Sequence, residues 1–367
     1  MKRFIFIPLM IKCLWQNKHG YHYPRTLYLK GLNLARIYAL LLFIGASTPS
    51  WAQADFQFLV GSCGAYEPRM GNKPSDTVYT IYRTMTKIPA KFMIWTGDAV
   101  YYRNDDWKSS RAMIARNELY RRELPYLKHF LDTVKQYSIW DDHDFGPNNS
   151  HGDQPNKDTA LAVFKQFWHN PAYGNDSCKG VFFKFSEQDA DFFMLDDRYY
   201  SNLKTKEMLG RKQLNWLKWE LKHSKARFKF IISGTQWLPN NHLTESYQVF
   251  STECHDFFDF LEKENIEGVI LFSGDVHQSM LCKKEREGTY PIYDFTASPL
   301  TSQFILPFRV PTRYYVKNTL YRKQNFGLVR LEGKGDARTC ILEIHAINGD
   351  LIWKRAFLAT DLQRKKL

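Results

Sequence analysis

The segment 138–150, SIWDDHDFGPNNS, carries Asp141, Asp142, His143 and Asp144 in consecutive positions. It follows an apolar, strand-like run and leads into a Gly-Pro turn, which holds polar groups in fixed directions. Carboxylates, imidazole and side-chain amides are ligands of hard or borderline metal ions. An acidic cluster alone is more often a solvated surface, so the metal-site hypothesis requires further ligands from elsewhere in the chain.

Three other apolar runs end in residues of the same kind. Cys63 follows FQFLV, Asp98 and Tyr101 follow FMIW, and Asp275 and His277 follow VILF. Each motif alone is typical of an ordinary turn or, for a cysteine, of a buried core position. In open α/β sheets, however, ligands bind outside the carboxyl ends of strands. Recurrence at four strand ends therefore predicts that these side chains converge on one edge.

The ligand types indicate two different cations. Thiolate and phenolate suit a Lewis-acidic ion such as ferric iron, whereas carboxylates with an amide suit a calcium-like or magnesium-like ion. Asp98 is the best candidate for a carboxylate that bridges both ions. Such a pair lowers the pKa of bound water and stabilises the attacking and leaving oxygens of an in-line displacement at phosphorus. A nearby arginine would match the phosphate charge.

The elements that position these residues alternate between strands and helices. Strands are predicted at 56–60, 92–95, 137–140, 182–185, 192–195, 228–232, 269–272, 292–295, 327–331, 339–346 and 351–357. Helices are predicted at 77–87, 110–122, 160–168, 212–223 and 254–263. This alternation favours α/β layers, and the strand-rich end indicates a second sheet. Because no Pro/Gly/Ser-rich linker divides residues 55–367, we expect one domain there.

Residues 1–54 differ in character from the rest of the chain. They contain seven of the 51 Lys and Arg residues and none of the 38 Asp and Glu residues, so they carry about half of the +13 net charge. The stretch 35–54, ARIYALLLFIGASTPSWAQA, predicts a secretory signal cleaved after Ala54, with the protein periplasmic or secreted. A membrane anchor is the alternative, but its apolar run is about ten residues where a span needs ~20. The mildly basic remainder indicates no nucleic-acid partner.

Five cysteines remain after the leader: Cys63, Cys178, Cys254, Cys282 and Cys340. An odd number leaves at least one thiol outside any disulfide, and Cys63 is the one expected to be free for a metal. The other four could form up to two disulfides in an oxidising compartment, and their pairing does not follow from the sequence.

Seven blocks in order carry a resemblance to the PhoD-like alkaline phosphatases, a branch of the metallophosphoesterases. They are GSC (61–63), GDAVY (97–101), WDDHDFGPN (140–148), LDDRYY (195–200), GRKQLNWL (210–217), SGDVH (273–277) and DFTASPLT (294–301). The resemblance implies a four-layer α/β sandwich, in which helices flank two mixed β-sheets and the site lies where the sheets meet.

The resemblance also implies roles for the site residues. Cys63, Asp98, Tyr101 and His277 would hold Fe3+, and Asp98 would bridge to Ca2+, which Asn148 and Asp275 would also bind. Asp142 and His143 would each be a ligand or the general acid. Arg198 would contact phosphate or brace the site, and a structural ion pair with Asp196 is its alternative. The Asp-His-Asp-Phe-Gly of this chain departs from relatives that carry Glu, which puts the pocket depth and the substrate in doubt.

The sequence thus predicts an exported, metal-dependent phosphoric ester hydrolase, an alkaline phosphatase or phosphodiesterase. Its expected substrate is a small phosphate mono- or diester, and we expect a monomer. One alternative is a phospholipid-cleaving diesterase at a membrane surface, for which the aromatic stretch 302–315 would form a lid or a lipid-facing loop. The other alternative is a non-catalytic, calcium-binding secreted homologue.

Overall fold

The computed structural model describes residues 12–16, 22–26, 54–66, 76–239, 246–303 and 313–364. The chain divides into two compact units, Met1–Trp51 and Ala52–Leu367. In the first unit, strands β1 (Lys12–Gln16) and β2 (His22–Thr26) pair antiparallel. The predicted leader core and most of the stretch 302–315 lie outside the described residues.

Two six-stranded mixed sheets form the second unit. The first sheet comprises β3 (Phe56–Gly61), β4 (Met93–Thr96), β5 (Gln136–Ile139), β12 (Asn325–Glu332), β13 (Thr339–Ala346) and β14 (Leu351–Leu358). The second comprises β6 (Phe183–Glu187), β7 (Ala190–Met194), β8 (Phe228–Ile232), β9 (Val269–Ser273), β10 (Met280–Lys284) and β11 (Ile292–Thr296). The strand order is β14-β13-β12-β3-β4-β5 in the first sheet and β10-β11-β9-β8-β7-β6 in the second.

Parallel pairing at the centre of each sheet sets the position of the strand ends. β3 pairs parallel with β4, and β4 with β5. In the second sheet, β7, β8, β9 and β11 form a parallel set. Because parallel strands end at the same edge, the loops after β3, β4 and β5 emerge together.

Helices flank both sheets, so the predicted four-layer sandwich is confirmed. They are α1 (Asp76–Thr86), α2 (Ser110–Glu123), α3 (Leu127–Thr133), α4 (Asp142–Phe145), α5 (Lys157–Phe167), α6 (Arg211–His223) and α7 (Ser251–Lys263). In α6, Leu214, Leu217 and Leu221 recur at helical spacing and are buried, whereas Trp219 faces solvent. Among the described residues, no helix is long and apolar enough to cross a membrane.

Aromatic side chains fill the space between the two sheets. The Phe58 ring in β3 lies 5.1 Å from that of Phe192, 5.5 Å from that of Phe230 and 6.1 Å from that of Phe272, measured between centroids. These partners lie on β7, β8 and β9, so one phenyl ring contacts three strands of the facing sheet. Full burial of such a side chain stabilises the fold by roughly 1.5–3 kcal/mol.

To the predicted strands and α-helices the structure adds β1 and β2 in the first unit and α3, α4 and β10 in the second. Helices of seven and four residues are too short for a helical hydrophobic period to be recognised. The structure also leaves Cys63, Cys178, Cys254, Cys282 and Cys340 as buried free thiols, so neither of the two conceivable disulfides is present among these five residues.

Candidate metal centre

Cys63, Asp98, Asp275 and His277 each adopt a left-handed backbone conformation directly after a strand. Their φ angles are 57°, 54°, 64° and 49°. Such values are uncommon for non-glycine residues, and their concentration in the loops after β3, β4 and β9 is typical of a functional site.

Two glycines explain why the sequence places Gly before Asp in these loops. A Cβ on Gly274 would lie 2.5 Å from the carbonyl oxygen of Thr96, where the end of β9 meets the end of β4. A Cβ on Gly97 would lie 2.4 Å from the Cβ of Asp141, in the loop after β5. Only glycine permits these approaches, so the Gly-Asp motifs bring the loops of both sheets together.

One group of potential ligands lies around Cys63. Cys63, Asp98 and His277 each have one potential ligand atom, and these three atoms lie within 4.8 Å of one another. The Tyr101 hydroxyl lies 3.0 Å from Asp98 Oδ2 and 3.1 Å from His277 Nε2. Cys63 Sγ lies 3.7 Å from the same Asp98 oxygen. A thiol, a phenol, an imidazole and a carboxylate thus lie close together, and their role as ligands of one ion stays a prediction.

A second group shares Asp98 with the first. Ligand atoms of Asp98, Asp142 and His143 also lie within 4.8 Å of one another. The backbone N–H of His143 donates to Asp98 Oδ1 at 3.2 Å, whereas Tyr101 contacts Oδ2. The two oxygens of Asp98 therefore have different partners, and Asp98 is the residue that the two groups share.

Asp144 fixes the loop that carries Asp98 and Tyr101. Its carboxylate accepts the backbone N–H groups of Val100 at 2.9 Å and of Ala99 at 3.3 Å. The same carboxylate accepts the N–H of Asp141 at 3.2 Å, at the start of α4. The loops after β4 and β5 are thereby joined through one buried side chain.

The site concentrates negative charge away from water. Burial raises the pKa of Cys63 to about 11. Burial, followed by the charges of Asp142 and Cys63, raises the pKa of Asp98 well above its ordinary value. Burial likewise raises the pKa of Tyr101. For Asp142, burial acts in the same direction, but Arg198, His143 and backbone donors outweigh it and lower the pKa.

The donor set fits a pair of cations. Sulfur, phenol, imidazole and carboxylate donors converge, and a positive ion there would offset the like-charge repulsion that raises these pKa values. The first group suits a trivalent or borderline ion, and the second, rich in carboxylate, suits a harder one.

Arg198 lies behind this site rather than in the open. Only 2 % of its surface is exposed, and its guanidinium forms an ion pair with Asp141. It also donates to the Ser150 carbonyl at 3.2 Å and to Thr235 Oγ1 at 3.3 Å. The alternative side-chain pair with Asp196 is not what the structure shows, because Asp196 Oδ1 accepts the backbone N–H of Arg198 at 3.0 Å.

Comparisons with known proteins identify the family. The sequence model for the PhoD-like phosphatase matches residues 58–342. The chain belongs to the PhoD-like phosphatase family. No curated protein sequence gives a significant match.

Solved structures show the same fold as this PhoD-like chain. The structure of PhoD is 16% identical, with a TM-score of 0.63 over 83% of this chain and 68% of that one. Purple acid phosphatase PPD1 from yellow lupin is 10% identical, with a TM-score of 0.59 over 85% of this chain and 55% of that one. GAP50, the anchor in the inner membrane complex of Plasmodium, is 13% identical, with a TM-score of 0.55 over 85% and 90%. At these identities the likeness concerns the fold alone.

Two ligands expected from the PhoD-like resemblance are placed differently from the rest. Asn148 is exposed, and its amide donates to Asn149 Oδ1 at 2.9 Å. Asp275 lies at the site through its backbone, since its carbonyl is 3.5 Å from Cys63 Sγ. Its charge also contributes to the raised pKa values of Cys63 and Asp98. The calcium-binding roles of both residues stay predictions.

Sequence reasoning did not assign roles to several residues of the PhoD-like site. Asp141 and Asp144 stood in the first motif, but nothing in their order separates a ligand from a residue that supports one. Ser298 stood in the DFTASPLT block, and its Oγ lies 3.2 Å from Cys63 Sγ. That contact spans 235 positions, so only the fold reveals it.

Proposed function

We propose that this PhoD-like phosphatase is an exported, metal-dependent phosphoester hydrolase with two cations at the centre described above. The observation that supports this most directly is that Asp98 belongs to both ligand groups. Fold alone does not determine function. GAP50, which has the same fold, is the anchor in the inner membrane complex of Plasmodium. The proposal therefore rests on the ligand atoms.

In this proposal, Cys63, Tyr101, His277 and Asp98 would hold the first ion. Asp98 and Asp142 would hold the second. The donor classes favour Fe3+ in the first position and Ca2+ in the second. When bound, such ions supply Lewis acidity that lowers the pKa of water and offsets charge on phosphoryl oxygens.

Asp142 is held in place for a ligand's role. Its Oδ1 accepts the N–H of His143 at 2.9 Å, and its Oδ2 accepts the N–H of Asn149 at 2.6 Å. Its lowered pKa keeps the carboxylate in the anionic form that binds a cation. We assign Asp142 to the second ion on these grounds, in preference to the general acid.

His143 is then the proton donor to the leaving oxygen. Its side chain is only half-buried, and its ring stacks on Tyr101 with centroids 4.2 Å apart. It thus lies at the boundary between the ligand groups and solvent, where a departing group must pass. Arg198 supports the site through Asp141, because its guanidinium is buried against that carboxylate.

The expected substrate is a small phosphate mono- or diester, and the expected location is periplasmic or secreted. The second statement depends on the leader sequence at 35–54. Processing after Ala54 is checked by sequencing the amino terminus of protein recovered from the periplasm or medium. Recovery of the unprocessed chain in the cytosol alone would contradict export.

Hydrolysis of a chromogenic phosphomonoester and a phosphodiester tests the activity. We expect turnover that a chelator abolishes and that added metal restores, and we expect Asp98→Ala and His277→Ala to be inactive but folded. Asp132→Ala is the matched control, since Asp132 is an exposed carboxylate on α3 paired with Lys128. Activity near wild type in Asp98→Ala would reject the site. No turnover of either substrate by metal-loaded protein would favour the non-catalytic alternative.

Elemental analysis of protein purified from its own compartment tests the metal identities. Iron and calcium in the same preparation are expected, and Asp98→Ala should lose both because it removes the shared ligand. A different pair of ions would retain the two-cation site and change only the assignment of the metals.

A further inference from the structure

The segment of residues 298–303, SPLTSQ, contacts three proposed ligands of the first ion without being one of them. It follows β11 and lies against the loop after β3. Leu300 N–H donates to the carbonyl of Ser62 at 2.8 Å, and the N–H groups of Thr301 and Ser302 lie 3.2 and 3.1 Å from the carbonyl of Cys63. The backbone of the segment therefore fixes the position of the cysteine.

Ser298 directs its hydroxyl at the sulfur of that cysteine. Ser298 is fully buried, and its Oγ donates to Cys63 Sγ at 3.2 Å. Its main chain is held on both sides: its N–H donates to Ser279 Oγ at 3.0 Å, and its carbonyl accepts from Asn325 Nδ2 at 2.8 Å. The direction of the hydroxyl is thus determined by a buried network rather than by solvent.

Gln303 determines which nitrogen of His277 faces the cluster. His277 Nδ1 lies 2.6 Å from the Gln303 carbonyl oxygen. A carbonyl can only accept, so Nδ1 carries the proton and Nε2 presents its lone pair. Nε2 lies 3.1 Å from the Tyr101 hydroxyl. The backbone of residue 303 therefore selects the tautomer that a metal ligand needs.

Ser302 makes the corresponding contact with the phenol group of Tyr101. Its Oγ lies 3.4 Å from the Tyr101 hydroxyl oxygen, and it is buried. One stretch of six residues therefore supplies a hydroxyl to the thiol, a hydroxyl to the phenol and a carbonyl to the imidazole. Asp98, the shared ligand, is supported from the opposite side by the N–H of His143.

We propose that residues 298–303 form an outer shell that sets the orientation and donor strength of the thiolate, phenolate and imidazole, with Ser298 as the positioning residue for Cys63. This inference rests on the proposed function, because it concerns the same metal centre. A hydrogen bond to a thiolate withdraws electron density from the sulfur, and groups that support ligands in this way affect metal affinity by about 10–100-fold when removed.

Cobalt binding tests the role of Ser298 independently of hydrolysis. Co2+ is titrated into the metal-free protein against a competing chelator, and the near-ultraviolet band from sulfur-to-cobalt charge transfer is recorded. We expect Ser298→Ala to move this band to lower energy and to weaken Co2+ affinity about tenfold. Ser298→Thr keeps the hydroxyl and should restore both properties.

Two controls isolate the contact. Ser302→Ala removes the hydroxyl at the phenol and should leave the sulfur band in place. Ser246→Ala removes another buried serine hydroxyl, which bonds to the N–H of Gln248 at 3.2 Å and does not contact the site. Circular dichroism verifies folding in each variant, and Ser298→Ala removes an atom without adding one, so no new clash arises.

The outcomes separate this inference from the proposed function. A sulfur band in the wild type that Cys63→Ala abolishes supports the metal centre. If Ser298→Ala then shows the wild-type band and affinity, the role of the segment is overturned and the centre stands. Absence of any sulfur-to-cobalt band in the wild type would overturn both.

Discussion

The two ends of strand β3 carry charge in opposite ways. Cys63 follows the strand in the metal centre, and Asp55 precedes it at the other edge of the sheet. At the first end, a thiol and several carboxyls lie together, and burial with mutual repulsion raises the pKa values of Cys63 and Asp98. At the second end, acids and a base neutralise one another. We call these the metal edge and the opposite edge.

Arg338 is the centre of the opposite edge. It has no exposed surface, and its guanidinium bonds to Asp189 through Nη2 at 2.7 Å and through Nε at 3.1 Å. Its Nη1 donates to the carbonyls of Gly333 at 3.0 Å and Leu331 at 3.3 Å. Nη2 also donates to the carbonyl of Ala54 at 3.2 Å. This arrangement satisfies the cation entirely within the protein.

The contrast separates charges that serve stability from charges that serve binding. A buried ion pair with complete hydrogen bonding needs no ligand, although it contributes to stability mainly because breaking it is costly. A buried group of like charges is unfavourable by itself and becomes favourable when a cation joins it. Under the proposed function, the crowded acids of the metal edge therefore lower the stability of the metal-free protein and favour cation binding, whereas the opposite edge needs no cation.

Matched Asp→Asn changes at the two edges should have opposite effects. Asp98→Asn removes charge from the shared ligand, and we expect kcat/KM to fall at least about 1,000-fold, or about 4 kcal/mol. The metal-free variant should resist urea better than metal-free wild type, because one buried like charge is gone. Asp189→Asn should retain kcat/KM per folded molecule and lose stability, because buried Arg338 loses its closest acidic partner and keeps only the longer contact with Asp55 at 3.4 Å.

Urea unfolding of the metal-free proteins measures the sign of each effect, and hydrolysis at a temperature where all variants are folded measures activity. The contrast between the two edges would be contradicted if Asp98→Asn and Asp189→Asn shifted the urea midpoint in the same direction. An equally strong fall in kcat/KM for Asp189→Asn and Asp98→Asn would also contradict it.

Arg338→Met should be the most destabilising single change at the opposite edge. Loss of one partner of a buried ion pair costs about 3–5 kcal/mol. We expect a value near the lower end, because the remaining Asp189 is half-buried and keeps Arg227 at 3.9 Å. Methionine keeps much of the side-chain volume, so the effect comes from charge and hydrogen bonds rather than from a cavity. Denaturant unfolding gives the value. A second variant, Arg338→Met with Asp189→Leu, should recover part of the loss because it removes both charges.

The sequence reveals the metal edge far better than the opposite edge, for a physical reason. Ligands of the metal edge lie within a few residues of strand ends, and the Gly-Asp motifs report turns that are local. Arg338 meets Asp189 across 149 positions and Asp55 across 283. No local pattern marks such partners, because any exposed Arg or Asp has the same sequence signature.

The same distinction explains the details of the site. The closest acidic partner of Arg198 is Asp141, 57 residues away, rather than Asp196, two residues away. The sequence offered a pair with Asp196 as an alternative, but the carboxylate of Asp196 is bonded to Trp140 Nε1 at 2.8 Å and to backbone N–H groups. Long strands and amphipathic helices were predictable because their periods persist, and α4 was not, because four residues contain little more than one turn.

Asp294 tests the effect of burial on a carboxyl group that belongs neither to the crowded acids of the metal edge nor to the ion pairs of the opposite edge. Its carboxylate is fully buried in β11 and accepts the N–H of Trp237 at 2.9 Å and the hydroxyl of Ser273 at 2.8 Å. Burial raises its pKa from 3.8 to about 6. The folded state thus holds this proton more tightly than the unfolded state, so stability falls as pH rises from 3.8 to about 6 and stays at the lower value above that.

Acidification from pH 7 to pH 4 should therefore stabilise the wild type relative to Asp294→Asn, which does not titrate there. The full change in the unfolding free energy of wild type relative to Asp294→Asn is about 3 kcal/mol, since each pKa unit corresponds to about 1.4 kcal/mol. Urea unfolding of both proteins at several pH values gives the difference curve. A flat curve would mean that hydrogen bonding to the anion offsets its burial completely, as pairing does at the opposite edge.

Metal removal gives the smallest effect and the most direct comparison of the edges. A ligand that binds only the folded state at 100 times its Kd adds about 2.7 kcal/mol to stability. We expect a chelator to lower the unfolding free energy of metal-loaded wild type by about this amount. Arg338→Met should show the same chelator effect from a lower starting stability, because its metal edge is intact. Asp98→Asn should show almost none, since it lacks the shared ligand. A full chelator effect in Asp98→Asn would place the stabilising cation elsewhere in the protein and would remove the reason for the crowded charges at the metal edge.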